Sequence, residues 1–358
     1  MEASWKSHLE SVGAVFEDTT VIHYGNAKQE LASIAHKDKT VICALSDYGI
    51  IKISGTEAQT FLQSQFSNDV NLVTANQAQL NSYCSPKGRV LTLFTLFQIA
   101  NNYYLQLPIS LLDSTLKRLT MFKMRADVNL DDVTDNLLCV GLAGSSAQSI
   151  LTKYLTDVPS LNYSCGSENS LTVIRLANET TAITQPRFLI FGDNNTLANL
   201  WTNNLAQLTA IAQQPWSLLD IQSGLPSVSN DTVDAFVPQM LNLQLLSAIN
   251  FKKGCYPGQE IVARTQYLGK LKKRMYLLKS DSNELFTVGT DLSTENAEDD
   301  QSKGKIVNCQ LSATSGIEAL AVLQINSINN GKILIKQAPH IKFTVHQLPY
   351  PFEELKEN

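Results

Sequence analysis

The stretch of this 358-residue chain best suited to chemistry is Phe251-Lys252-Lys253-Gly254-Cys255-Tyr256-Pro257-Gly258-Gln259-Glu260. Its residue types suit a thiol that must be reached rather than packed. Neighbouring ammonium groups stabilise a thiolate and lower its pKa, which gives Lys253 the expected role of activating Cys255. Gly254 and Gly258 on either side let backbone or ligand approach closely. Most single cysteines are small buried hydrophobes without chemistry. The polar, cationic and turn-rich surroundings of Cys255 argue against burial in an apolar core.

The other five cysteines, Cys43, Cys84, Cys139, Cys165 and Cys309, show no C-x-x-C and no regular spacing. Reduced thiols are expected rather than a disulfide framework. The five histidines form no i, i+4 pair and none lies near a cysteine in sequence, so no metal site is expected. Hydrophobic residues make up 44% of the chain and charged ones 17%, the composition of a globular protein. The net charge of -5 gives no overall basic excess for nucleic acid or anionic membrane. Met1 to Phe16 has neither a signal-peptide apolar run nor an Arg-rich, acid-poor transit pattern. No apolar segment approaches the roughly 20 residues that span a bilayer. A cytoplasmic protein without membrane contact is the expectation. Asn250 to Lys279 departs from the acidic whole, with eight cations and one acid, Glu260, for a local net of +7. It reads as a phosphate-tracking stripe for tRNA or as a solvated helix face. Few aromatics interleave and no RNA-binding module is recognisable, which favours the solvated face over direct tRNA contact.

These residues must be positioned by more than one core, because 358 residues exceed what a single core holds. Residues 41–53 read as two strands joined by a turn at Ser46-Asp47-Tyr48-Gly49, followed by a helix from about Gly55 to Gln65. Strands follow at 78–83, 90–98 and 103–107, then a helix from Leu111 to about Leu119. A second unit has a strand at 137–142 and a helix capped by Ser145 or Ser146, strands at 171–176 and 187–191, and a helix at 196–211. Gln259 to Leu268 reads as a helix ended by Gly269. Beyond Lys272 the pattern turns to short alternating strands at 273–279, 304–310, 319–326, 332–336 and 341–346, a small barrel. Asp281 to Gly304, with Thr294-Glu295-Asn296-Ala297-Glu298-Asp299-Asp300, reads as a mobile surface excursion. The fold class is α+β, with two antiparallel α+β lobes at 1–125 and 126–270, whose boundaries interleave, and a C-terminal β-barrel at 271–358.

The run Lys252 to Glu260 resembles the K-G-C-Y-x-G-Q-E signature of the YgfZ family of folate-binding proteins. Ile221-Gln222-Ser223-Gly224-Leu225-Pro226, Val237-Pro238-Gln239-Met240-Leu241-Asn242-Leu243 and Leu348-Pro349-Tyr350 resemble it too, so the likeness runs from about Val41 to the C-terminus. It implies a three-domain ring like that of the glycine-cleavage aminomethyltransferase, or T-protein, around a channel for tetrahydrofolate. It makes Gly254, Tyr256, Gly258, Gln259 and Glu260 motif residues beside Cys255 and Lys253. It also implies two aromatic walls for the flat pterin, which Tyr48 and Trp216 supply by their positions. Where the family carries a glutamate that accepts two hydrogen bonds from the pterin, this chain has Gln222, with one acceptor oxygen and an amide donor. The loss of one charge-assisted bond is worth about 1–3 kcal/mol of binding.

The T-protein has an aspartate pair after a Gly-Gly-x-Val turn, and this chain places Leu91 and Thr92 there. Neither side chain does acid–base work on a developing iminium, which disfavours aminomethyl transfer. The resemblance therefore implies a folate-binding accessory protein for iron–sulfur enzymes, including those that thiomethylate tRNA, with iron–sulfur client or assembly proteins as partners. The alternatives are a folate-dependent one-carbon transferase and a tRNA-binding factor. The cationic segment is then a channel rim for the folate tail.

Overall fold

Alternate residues of the strand Thr40–Ala44 bury toward opposite sides, Ile42 and Ala44 in one apolar core and Val41 and Cys43 in another. The strand Tyr48–Ser54 divides in the same way, with Ile50 in the core of Val41 and with Ile51 and Ile53 in a third. The computed structural model, which describes residues 1–36, 38–177, 185–295, 302–328 and 332–352, builds these strands into two sheets covered on both faces. One is an antiparallel sheet in the order Gln79–Cys84, Val90–Ile99, Asn102–Pro108, Tyr48–Ser54, Asn129–Asp132. The other runs Cys165–Glu168, Leu171–Arg175, Arg187–Gly192, Leu138–Gly144, Thr40–Ala44, Thr209–Ile211, with the last strand parallel to its neighbour and the rest antiparallel. The sheets share the core of Val41, Cys43, Ile50 and Trp216, where the rings of Phe97 and Phe191 stand 4.4 Å apart. Helices Ala3–Ser11, Ala147–Leu151 and Asn194–Asn203 cover the outer face of the second sheet, and Ala58–Gln65 and Leu112–Lys123 that of the first.

The α+β class and the C-terminal barrel agree with the sequence reading, and three details differ. The two strands within residues 41–53 form but do not pair with each other. The chain crosses between sheets at Leu45–Asp47, held by Leu45 N–H on the Cys139 carbonyl (3.0 Å) and Ile109 N–H on that of Asp47 (2.8 Å). The expected helix 196–211 ends at Asn203, and Thr209–Ile211 is the parallel edge strand instead. The two lobes interleave in sequence. Residues 3–44 belong to the second lobe through Trp5, Leu9, Ile42 and Ala44, whereas Asn129–Asp132 extends the first sheet. Residues 225–262, assigned above to the second lobe, return to the first, with Val228, Phe236, Leu241, Leu243, Ile249 and Val262 in its core.

The barrel closes in the order Lys273–Ser280, Ile317–Gln324, Gly304–Leu311, Asp291–Thr294, Ile333–Ile335, Ala338–His346. Period-two alternation lets one strand serve two cores: Tyr276 and Leu278 fill the barrel, while Met275 and Leu277 pack on the first lobe. Asp291–Thr294 is a barrel strand inside the segment read as an excursion, and residues 296–301 lie outside the described residues. Three sequence-distant pieces quoted for the family likeness meet here. Tyr350 Oη donates to the Gly224 carbonyl (2.9 Å), and Asn242 Nδ2 donates to the Met275 carbonyl (3.0 Å) and reaches Tyr350 Oη (3.4 Å). A Cβ on Gly224 would come within 2.6 Å of the Tyr350 ring, so only glycine admits that clasp between lobe and barrel.

Candidate functional site

The helix Gln213–Gln222 carries the centre of the site. Glu30, buried on a neighbouring helix, accepts from Ala212 N–H at the start of this helix (2.9 Å) and from Tyr24 N–H (2.6 Å). Its carboxylate thus fixes the helix where the N-terminal dipole favours negative charge. Trp216, 1% exposed, lies against Gly141, where a Cβ would approach the indole to 2.5 Å. Glycine in that strand makes room for the ring. Asp220, one turn on, accepts from Nη1 of Arg187 at 2.8 Å, and the guanidinium lies 5.7 Å from the Trp216 ring centre. Burial pushes the Asp220 carboxyl above the usual carboxylate range, and Arg187 pulls it back.

Two cavities flank this pair. The larger, about 610 Å³, is lined by Asn68, Gln79, Tyr163, Arg187, Ser247 and Asn250 among others. The smaller, about 60 Å³, is lined by Tyr48, Gln106, Trp216 and Asp220 among others. Leu80, Leu176 and Leu225 border both. Tyr48 and Trp216 are therefore brought together, at the smaller hollow. Gln222 borders neither cavity. Its Nε2 donates to Glu318 of the barrel at 3.1 Å, and Glu318 also accepts from Ser312 Oγ (2.9 Å) and pairs with Lys279 (3.1 Å). Helix geometry explains this, since residues 216 and 220 share a face and residue 222 stands about 120° round from 216. Thr92 is fully buried with its hydroxyl on the Leu93 carbonyl (3.3 Å), and Leu91 packs on the first-lobe core.

Cys255 is exposed, and the other five cysteines are buried or half-buried. Burial pushes the thiols of Cys84 and Cys165 up to about 12. Lys253 takes a different place from the one expected beside the thiolate. Its ammonium turns inward and donates to the carbonyls of Gln63 (2.7 Å), Phe66 (2.5 Å) and Asn68 (3.1 Å). It thereby satisfies acceptors at the end of the helix Ala58–Gln65, which no intrahelical N–H can reach. Burial draws its pKa down to about 8, with Asp69 pulling the other way. Lys253 is thus a positioning residue.

The rest of the motif holds the same loop. Asn250 Oδ1 accepts from Lys252 and Lys253 N–H (2.8 and 3.0 Å), and Gln259 Nε2 donates to the Lys253 carbonyl (3.3 Å). The buried Tyr256 ring lies 5.3 Å from the Lys253 ammonium. Gly258, at φ +82°, precedes the helix Gln259–Tyr267, and a Cβ there would meet the Ser85 carbonyl at 2.4 Å and Gly88 at 2.5 Å. Gly254 is open, with nothing within 4 Å of a built Cβ, and Glu260 is exposed in the first helical turn. The cationic stripe is thinner than its composition implies. Lys253 is buried, Arg274 is buried against the Phe352 ring (4.6 Å), and Lys279 pairs with Glu318.

Sequence reasoning missed Arg187, Asp220 and Gln79. The signal was present for two of them. Arg187 is a cation opening an otherwise apolar strand, and Asp220 lies one turn from Trp216 in an apolar helix. No helix among the described residues is long and apolar enough to cross a membrane.

A family model described as the GCVT N-terminal domain matches residues 26–253. A curated relative from Colwellia psychrerythraea, named tRNA-modifying protein YgfZ, is 35% identical over 258 residues, 72% of this chain and 77% of its own length. A protein of the same name from Yersinia enterocolitica is 26% identical over 92% of this chain and 98% of its own. The crystal structure of glycine cleavage system aminomethyltransferase T from Bartonella henselae superposes with a TM-score of 0.76 at 16% identity, covering 97% of this chain and 96% of that one. That likeness is one of fold.

Proposed function

This chain belongs to the YgfZ family, built on the GCVT N-terminal domain, and from that premise we propose that it binds a reduced folate and presents Cys255 to iron–sulfur client proteins. The carrying observation is the 610 Å³ cavity, lined in part by the buried Arg187, whose guanidinium pairs with Asp220 and lies 5.7 Å from the Trp216 ring centre at the adjoining smaller hollow. Its volume suits a small-molecule ligand, and its wall combines apolar side chains with a few polar groups. A folate fits these residues: the buried donors Arg187 Nε and Gln79 Nε2 have no partner among the described residues, and a pteridine carries ring nitrogens and a carbonyl that accept. A bound folate supplies one-carbon or redox chemistry. This chain's own residues hold the ring, exclude water and keep the thiol outside.

Cys255 is the handover point in this reading. Its exposure suits a large partner, and the loop around it is fixed by Lys253, Asn250 and Gly258. The relatives' names support a setting in tRNA modification, reached here through iron–sulfur enzymes rather than by holding RNA, since three of the eight clustered cations are turned inward or paired. Aminomethyl transfer is disfavoured because Leu91 and Thr92 offer no carboxylate. The test is titration of the full chain with tetrahydrofolate, followed by tryptophan fluorescence. Saturable quenching that disappears in Trp216→Phe supports the reading. Its absence in the wild-type protein sinks the folate assignment.

A further inference from the structure

We infer that Arg187 reads the carbonyl edge of the pteridine, so that the larger cavity selects 4-oxo over 4-amino rings; this rests on the folate reading above. Arg187 is 1% exposed and opens the strand Arg187–Gly192. One guanidinium N–H is taken by Asp220, and the plane is held near the Trp216 ring. Arg187 is among the residues that line the 610 Å³ cavity, and its Nε is buried without an acceptor among the described residues. Gln79, also buried, lines the same cavity, and its Nε2 is likewise without an acceptor.

A guanidinium only donates and keeps its proton at any working pH. It cannot adapt to a ligand edge that also donates. The occupant opposite Arg187 must therefore present an acceptor, and a charge argument narrows which kind. Asp220 neutralises Arg187 at 2.8 Å, so a second carboxylate, such as the folate tail, would meet a net-neutral pair with a carboxylate already in place. A neutral acceptor meets only the unfilled N–H. The 4-oxo group of a pteridine is such an acceptor, and replacing it by an amino group puts donor against donor. A Gln amide turns over to suit either edge, whereas Arg187 does not, and selectivity falls to Arg187.

The experiment is calorimetric titration of the full chain with pteroylglutamate and with its 4-amino analogue, in the same oxidation state and at a pH where both rings are neutral. The expected result is a preference for the 4-oxo ligand of about tenfold or more, the factor produced by one unmade bond to a charged donor. The double variant Arg187→Met with Asp220→Leu replaces both members of the buried pair by apolar side chains, a change that folded proteins commonly tolerate. It should bind both ligands alike. Equal affinities in the wild-type protein, or tighter binding of the 4-amino ring, would overturn the inference while leaving the folate reading intact. Persistence of the preference in the double variant would also overturn it. Failure of both ligands to bind contradicts the folate reading itself. If the double variant does not fold, the wild-type comparison decides alone.

Discussion

The cavity and the thiol motif sit back to back, sharing Asn68 and Asn250, and they treat buried polar groups in opposite ways. In the cavity, Arg187 and Gln79 keep donors that no described residue satisfies. In the motif, one ammonium fills three carbonyls, one amide oxygen caps two N–H groups, and the exposed sulfur stands outside this network. A buried donor without a partner costs about 1–3 kcal/mol, a cost that the acceptors of the proposed folate would offset. In the motif these polar atoms are satisfied and the thiol stands outside. In the proposed function the first region holds the ligand and the second meets the partner.

Substitutions that touch one region and spare the other test this contrast. Gly258→Ala should have the largest effect. Its Cβ meets the Ser85 carbonyl at 2.4 Å at a backbone φ of +82°, and a loss on the order of 3 kcal/mol is expected in urea denaturation. Gln222→Glu restores the family's usual residue, yet it should not improve folate affinity. The new carboxylate would face the buried Glu318, with an expected stability loss of about 2 kcal/mol and an unchanged Kd by calorimetry. A gain in affinity would return Gln222 to the ligand. Lys253→Met should reveal itself through pH. The folded pKa of about 8 lies below the ordinary 10.5, so between these values the unfolded chain holds a proton that the folded chain has released. That contribution is present above pH 10.5 and is lost as pH falls through 8. The stability of wild type minus Lys253→Met should therefore be larger at pH 10 than at pH 7, and a flat difference would contradict it. Cys255→Ala should move stability least, within about 0.5 kcal/mol, because nothing buried depends on the sulfur.

Much of the fold was legible because its signals are local. The strands from Gln79 to Pro108 and those of the barrel carry their own alternation and turns, and the Gly258-Gln259 helix start announces itself. What was not legible depends on contacts between distant segments. Nothing near Thr40–Ala44 says that it leaves its sequence neighbour Tyr48–Ser54 for another sheet, and nothing near Ala3–Ser11 says that Trp5 will meet Trp201. In the site, residue types were read better than directions. Lys253 was given its chemistry from its neighbours in sequence, whereas its stem carries the ammonium to residues 63–68. Six positions from Trp216 put Gln222 on another face of the helix, a direction that residue type alone does not carry.

In the proposed function, ligand retention and thiol display are separate devices, both required. The direct test is the activity of a tRNA-thiomethylating iron–sulfur enzyme in a strain lacking this protein, complemented with Cys255→Ala at wild-type protein level. The expected activity is no higher than with an empty vector, from a variant that still binds tetrahydrofolate with wild-type affinity. Full restoration of the enzyme by that variant would contradict it.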